Sequence, residues 1–468
     1  MLSYPCELWK LVLNNVYYLG KTYSINSRNY HSSKTDKHLL SIAPTRTGKG
    51  RGLILPNLLN LSDHSVFVID PKGENALVSA SYRKNQGHEI FIFNPYKIFA
   101  DEFAERGFRE FQGFNPLANL NPDSPSFTDD VAIIAEALIY DTGGDSHWTD
   151  AGRGLVAFLI MYLITEPTEK DQRTFRRLHT ILAGGFNELK KVLNKAKGNS
   201  NPLVSESVGR YSGNNNEVNS IIATAETQTR IFKSNVICSA LEGEPFNFRQ
   251  MKNRKISVYL ILPSKYLLTQ ARYLRMVLLV AMSQFMESEK GKHQVLVMLD
   301  EFANLGALNI IENGYGLIAG HGVTLWSFVQ NLTQLQNLYP KNWETFIANS
   351  SVVTVSNVND ATTAEYFSRR AGQYERDKTT ISNSRSQNDT GGWVTLSESY
   401  SSNTSSVWDD RLSVTEIYDS PSDILYLFYA GRARPKVCKK LQYDTDDPFC
   451  SRADKNPMHK EEMPLNIF

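Results

Sequence analysis

Cysteine is scarce: the chain holds four in 468 residues, Cys6, Cys238, Cys438 and Cys450, and no C-x-x-C pair. That scatter excludes a disulfide scaffold and a cysteine-built zinc site, and it fits reduced thiols. Long apolar runs are lacking too. A membrane span needs about 20 mostly apolar residues, and the nearest approach, "LWKLVLNNVYYLG" from Leu8 to Gly20, is broken by Lys10, Asn14 and Asn15. The N-terminal segment 1–37 is therefore expected to contain no transmembrane helix. The spacing of Leu8, Leu11, Val12, Val16 and Leu19 predicts a short amphipathic helix docked on the protein's own core. An excess of either charge is missing as well, with 50 Lys+Arg against 49 Asp+Glu. Any nucleic-acid contact must then come from local clusters and not from a global field. No internal repeat or heptad run is present.

What is there is a rhythm. From His38 short β-rich apolar runs alternate with helix-sized intervals: "LLSIA" (39–43), "SVFVID" (65–70) and "EIFIF" (89–93). This is the pattern of an α/β fold with a parallel sheet. Past the Pro- and Asn-rich "GFNPLANLNPDSPS" the period turns helical, with Trp148, Ala151, Leu155, Phe158, Leu159 and Tyr162 on one stripe that reads as core. Strand-like runs then resume at "ISVYLIL", "HQVLVMLD", "VTLWSFV" and "SVVTVS". The predicted organisation is a nucleotide-binding domain in two parts, 38–115 and 251–440, interrupted by an all-α domain over 116–250. The Ser/Asn/Thr-rich tract 379–406 is expected to be a mobile surface loop, and 441–468 a polar C-terminal tail.

Three stretches carry chemistry. In "APTRTGKGRG" the residues Thr45, Arg46, Thr47, Gly48, Lys49, Gly50 and Arg51 form a degenerate phosphate loop. Backbone N–H groups and the following helix N-terminus would hold an anion there, with Lys49 reaching the outer phosphates. Ala43 replaces the first glycine of the usual pattern, which an extended residue tolerates. Gly50 replaces the hydroxyl that normally binds Mg²⁺, so another residue, water or Thr47 must serve. The run "VLVMLDEF" ends in Asp300 and Glu301 at a predicted strand terminus. An Asp there can hold hydrated Mg²⁺ and the adjacent Glu can activate water for γ-phosphate hydrolysis of ATP. One strand later "VTLWSFVQN" delivers Gln330, a γ-phosphate sensor or a solvated loop residue. Asp70 ends a strand expected to lie beside the phosphate loop, as a supporting carboxylate or a helix cap. Phe302 to Gln330 contains no Lys or Arg, so an arginine finger would come from Arg230, Arg272, Arg275, Arg369 or Arg370.

Taken in order, "HLLSIAPTRTGKGRGLILPNLL", "VIDPKGEN", "FNPL", "DEFANLG" and "FVQNLTQL" resemble the coupling ATPases of type IV secretion and bacterial conjugation, the TraG/TraD family. The likeness runs from about His38 to Lys440, with "DEFANLG" the most specific string, and Gly-Lys-Gly is a familiar loop variant in that family. It implies a RecA-like P-loop domain with an inserted all-α domain, hexamers around a channel, and ATP and Mg²⁺ as cofactors. It also implies that single-stranded DNA with bound relaxase, or protein effectors, is driven into a type IV secretion channel. The family's roles map onto Lys49 for phosphates, Asp300 for Mg²⁺, Glu301 for water activation and Gln330 for sensing. Most members begin with transmembrane helices. Their lack here implies a cytoplasmic protein peripheral to the bacterial inner membrane and recruited by a separate anchor, or a soluble or shortened variant. A double-stranded DNA translocase of the FtsK type and a recruitment platform assembled by nucleotide, without motor activity, are the alternatives.

Overall fold

The computed structural model describes residues 16–22, 30–140, 146–390 and 393–458. Thirteen strands are formed among them: β1 (Tyr17–Lys21), β2 (Tyr30–Ser33), β3 (His38–Ile42), β4 (Ser65–Asp70), β5 (Glu89–Phe93), β6 (Ile256–Ile261), β7 (Val295–Leu299), β8 (Val323–Val329), β9 (Ser350–Val355), β10 (Gln373–Thr390), β11 (Trp393–Asp410), β12 (Ile424–Tyr429) and β13 (Lys436–Lys439). Eleven join one sheet in the order β2-β1-β13-β12-β9-β3-β8-β7-β4-β6-β5. From β9 to β5 every neighbouring pair is parallel. The four strands on the other side of β9 pair antiparallel.

The near-continuous apolar runs of the parallel strands follow from burial of both faces. Phe67, Ile69, Val295, Val297, Leu299, Leu40 and Ile42 enter one core cluster, while Val66, Val68, Leu296, Met298 and Leu39 enter the other. Alternation within each strand thus feeds two cores. The second face is covered by α1 (Leu55–Leu58), which continues a π-type turn at Gly50–Ile54, and by α2 (Glu74–Asn85). Arg83, fully buried on α2, ties this layer together: its guanidinium donates to the carbonyls of Leu58, Leu61 and His64 and to Ser257 Oγ.

After α3 (Ala100–Glu105) the chain leaves the sheet for seven helices: α4 (Phe127–Leu138), α5 (Ser146–Thr165), α6 (Phe175–Ala183), α7 (Gly185–Ala196), α8 (Pro202–Tyr211), α9 (Asn216–Gln228) and α10 (Asn235–Ala240). Side chains of Thr174, Asn201, Asn215 and Ser234 accept the first free N–H groups of α6, α8, α9 and α10, the capping such residue types provide. The stripe Ala151, Leu155, Phe158, Leu159 and Tyr162 is buried, with Trp148 packed at its edge. The chain returns through β6, α11 (Ala271–Met286), β7, α12 (Asn309–Leu317), β8, α13 (Leu332–Leu338), α14 (Trp343–Ala348), β9, α15 (Ala361–Ala371) and α16 (Val414–Tyr418). Among the described residues no helix is long and apolar enough to cross a membrane.

Four expectations change. The helical reading of Leu8 to Leu19 fails at its C-terminal end: Tyr17–Lys21 is a strand, because its ladder bonds to β2 and β13 outweigh the local period, and Leu8, Leu11 and Val12 lie outside the described residues. Over its described residues the tract 379–406 is not a loop. It belongs to an antiparallel ribbon of β10 and β11 in register from Gln373↔Asp410 to Thr390↔Trp393, held by cross-strand pairs such as Arg376 with Asp409 and Thr379 with Thr404. The polar tail is packed on the domain over its described residues, 441–458. Leu441, Tyr443 and Phe449 are buried, and the segment is bonded onward to Val78, Leu59 and Glu74. It passes so close to the phosphate-loop helix that a Cβ on Gly52 would lie 3.0 Å from the Leu441 carbonyl. Finally, β4 does not adjoin β3, since β8 and β7 stand between them. Asp70 therefore neighbours the strand that ends before Asp300 and not the phosphate loop.

Phe449 is fully buried and packs edge-on against Tyr18 and Tyr30. Phe449→Ala is expected to lower the unfolding free energy by about 3–5 kcal/mol, measured by denaturant titration, whereas a free tail would register no change.

Candidate functional site

In a parallel sheet all carboxyl ends lie on one edge, and ligands bind there. That edge gathers the loop after β3, Asp70 at the end of β4, Asp300 and Glu301 after β7, and Gln330 after β8. Because β8 lies between β3 and β7, Gln330 emerges between the loop and the acidic pair.

The loop leaves β3 in extended form, with Ala43 N donating to Val329 O at 2.9 Å. Substitution of the first glycine thus costs nothing in ladder geometry. Thr45 and Arg46 are exposed, Arg46 with φ 60°, and Thr47 turns its hydroxyl back onto the Pro44 carbonyl at 2.7 Å. Gly48 O accepts from Gly52 N at 2.8 Å, starting the helix immediately behind the loop. Around Gly50 there is open space where a Cβ would stand. Arg51 departs from the rest of the predicted set. Its guanidinium is bidentate to Asp444, and its carbonyl accepts Tyr443 N, so it anchors the C-terminal segment.

Lys49 is the centre of the arrangement. Its Nζ is buried and has no hydrogen-bond partner; the nearest carboxylate oxygen is Glu301 Oε1, at 3.9 Å. Glu301 holds a left-handed φ of 54°, which is strained for a residue with a side chain. Its Oε2 accepts from Gln330 Nε2 at 3.3 Å and from Asn304 Nδ2 at 3.4 Å, and its N–H donates to Asp300 Oδ1 at 3.0 Å. Burial pushes the Asp300 carboxyl up to about 6, with Lys49 opposing and Glu301 adding to the rise. Asp70 is raised further, to about 7, again by burial, while the N–H groups of Ala76 and Asn75 pull it down and Asp300 and Glu74 push it up. Asp70 Oδ2 accepts Ala76 N at 2.8 Å in the first turn of α2. The N-cap of α2 is Gly73, so Asp70 is not the cap residue itself; it bonds the first turn from three residues upstream and lies within electrostatic reach of Asp300.

The string after Glu301 holds this geometry. Phe302 is buried against Tyr339 and Phe346, Leu305 is buried, and Gly306 turns with φ 71° against the Arg275 guanidinium. Arg275 Nη1 donates to the carbonyls of Leu305 and Ala307 at 2.7 and 2.8 Å, and the guanidinium lies over Tyr140. Arg272 is likewise engaged, with Leu138 O, Gln228 and the same ring, and Arg230 pairs with Glu226. Arg275 and Arg272 brace the fold, while Arg230 forms an exposed pair at its own helix end. Arg370 lies over Phe428, and Arg369 is exposed at the end of α15.

Three residues at this edge carry no signal recognised in the sequence. Asn304, inside "DEFANLG", braces the Glu301 carboxylate. Asn357, in a left-handed turn with φ 51°, and Lys440 meet at the loop: Lys440 Nζ donates to Thr47 O at 2.8 Å and also to Asn357 Oδ1. Neither has a motif around it, and 83 residues separate them. Among the described residues no group of three His, Cys, Asp or Glu side chains is arranged to hold a metal by protein ligands alone.

A family model for type IV secretory system conjugative DNA transfer matches residues 9–466. The chain is 25% identical over 352 residues to the protein VirD4 of Rhizobium radiobacter, covering 74% of this chain and 49% of that protein. It is 25% identical over 362 residues to the conjugal transfer protein TraG of Escherichia coli, covering 72% and 55% respectively. The chain thus spans about half the length of these curated relatives. Among solved structures it is similar to the bacterial conjugative coupling protein TrwB in an unbound form, with TM-score 0.64, 16% identity, and 87% of this chain and 86% of that one covered. A TrwB complex with ADP and Mg²⁺ matches with TM-score 0.62 at 16% identity over 86% and 85% of the two chains. The fold is accordingly the RecA-like P-loop fold with an inserted helical domain.

Arg275→Met should lower the unfolding free energy by about 3 kcal/mol, because buried carbonyls lose a charged donor. Arg369→Ala should stay within about 0.5 kcal/mol. Equilibrium denaturation of both variants checks the contrast.

Proposed function

The chain belongs to the type IV secretory system conjugative DNA transfer family, and from that premise we propose that it is an ATP-hydrolysing coupling protein. It recruits single-stranded DNA with bound relaxase, protein effectors, or both, and drives them into a type IV secretion channel. The observation that carries the nucleotide reading is the buried, unpartnered ammonium of Lys49 at a helix N-terminus, within 3.9 Å of the Glu301 carboxylate. A buried cation without a partner is costly, and a phosphate oxygen satisfies it. TrwB, whose fold the chain shares, is known in complex with a non-hydrolysable ATP analogue and with ADP and Mg²⁺.

In this reading the N–H groups of Thr45 to Gly50 cradle the phosphates and Lys49 reaches the outermost. Glu301, poised by Gln330 and Asn304, takes a proton from the attacking water, while Gln330 couples that carboxylate to the occupancy of the γ-phosphate position. Asp300, buried and facing Lys49, fits a cation held mainly through water. When bound, Mg²⁺ supplies charge neutralisation on the β- and γ-phosphates. Position 50 offers it no hydroxyl, although the space for one is open. Subunits assemble as hexamers around a channel at the bacterial inner membrane.

Lys49→Ala and Glu301→Gln should each reduce ATP turnover by at least ~10²-fold, the size of single electrostatic and acid–base contributions. Undiminished hydrolysis by a folded Glu301→Gln protein would remove Glu301 as the base. Gly50→Ser should lower the Mg²⁺ concentration needed for half-maximal turnover, measured by metal titration. Turnover should rise with single-stranded DNA, and DNA affinity should fall steeply with salt. Stimulation by duplex alone would favour a double-stranded translocase. Undetectable hydrolysis with DNA and partners present would leave the recruitment platform.

A further inference from the structure

A second lysine reaches the phosphate loop from the far end of the chain. Lys440 follows β13, its N–H fixed on Asp423 O at 2.7 Å, and its half-buried side chain runs under the loop. There Nζ donates to the carbonyl of Thr47 at 2.8 Å and to the side-chain oxygen of Asn357. It lines one small cavity together with Thr47, Gly48, Lys49 and Ser356. Two further contacts hold the same segment against the loop: Tyr443 N on Arg51 O at 3.1 Å, and Arg51 on Asp444. Lys440 is thus a built part of the loop's underside and not a solvated lysine passing by.

The peptide unit is planar and trans, so the Thr47 carbonyl and the Gly48 N–H point in opposite directions. A donor that grips the carbonyl therefore decides where the amide is aimed. Without it, the Thr47–Gly48 peptide could flip, since Gly48 at φ 84° lies where glycine moves with little steric penalty. Asn357 completes the grip: its own left-handed φ of 51° brings Oδ1 to the ammonium from the turn after β9, the strand that pairs with β3. The Lys440 ammonium also places a positive charge one peptide behind the anion site.

We propose that Lys440 is a positioning residue of the phosphate loop, holding the Thr47 carbonyl so that the Gly48 amide points at the bound phosphate. The inference rests on the nucleotide reading of the preceding section and adds to it a contribution from the C-terminal segment. Burial lowers the Lys440 ammonium to about 8, with Asp423 opposing, so it donates as a cation at neutral pH.

The test is equilibrium binding of fluorescent ADP to the full chain, with wild type, Lys49→Ala, Lys440→Met and Lys440→Arg measured alongside their melting temperatures. Lys440→Met is expected to weaken ADP binding about tenfold, the scale of one charge-assisted hydrogen bond. In turnover the change should appear in KM for ATP more than in kcat, and Lys440→Arg should restore most of the affinity. A folded Lys440→Met protein that binds ADP like wild type overturns the proposal, as does a loss that Lys440→Arg fails to restore. If Lys440→Met does not fold, Lys440→Gln takes its place, and wild-type affinity in that variant overturns the proposal equally. Failure of the underlying reading looks different: wild type would not bind ADP, or Lys49→Ala would bind it as well as wild type.

Discussion

An ammonium withdrawn from water and given no hydrogen-bond acceptor raises the energy of a folded state, and Lys49 is in that position. The groups around it are arranged in response to that charge without neutralising it. Glu301 approaches but stops short of a hydrogen bond. Burial raises the Asp300 carboxyl to about 6 and that of Asp70 to about 7. Two carboxyls raised by burial, with Glu301 adding to the rise of Asp300 and Asp300 to that of Asp70, form next to an unsatisfied cation an edge that is unbalanced by itself. A polyanion accompanied by a divalent cation corrects both halves of the imbalance at once, and neither half is corrected by the protein's own side chains.

Keeping such an edge in shape falls to groups that never reach it. Arg275 takes up the carbonyls that flank Gly306, so the turn after the acidic pair is held by a buried guanidinium and an aromatic ring. Phe302 and Leu305 sink into the core beneath, leaving the strained Glu301 as the residue that must stand out. On the opposite side the C-terminal segment lies against the helix that starts at Gly50, close enough to require the bare backbone of Gly52. The strain at Glu301 is therefore over-determined from below, the condition under which left-handed side-chain residues persist.

The parallel half of the sheet was legible because strands buried on both faces write unbroken apolar runs, and β3, β4, β5, β6, β7, β8 and β9 each stand on one. The meeting of Lys49, Asp300, Glu301 and Gln330 at one edge was legible for a related reason, since each follows directly on an apolar strand run or its loop. The strand order was not, since nothing in "SVFVID" says that two later strands will separate it from "LLSIA", and Asp70 was accordingly placed two strands too close to the phosphate loop. Tyr17–Lys21 and the ribbon of β10 and β11 were missed because their pairing partners, not their own composition, make them strands. Lys440 and Asn357 were invisible for the same cause. A lone lysine after a short strand acquires meaning only when the fold sets it under a loop nearly four hundred residues earlier.

The central position of β3 also governs when the protein can come together during synthesis. Its ladder partners are β8 and β9, so Ser41 meets Trp326 and Thr354 across separations of 285 and 313 residues. Contacts that distant are slow to form, because chain entropy is lost long before they reward it. On an emerging chain the phosphate-loop strand has neither neighbour until the inserted helices and two further strands have been made. Its apolar residues Leu39, Leu40 and Ile42, all buried in the finished sheet, are exposed for most of translation. A ribosome stalled within the helical insertion would hold a strand with two open edges, the kind of surface that chaperones shield and aggregates recruit.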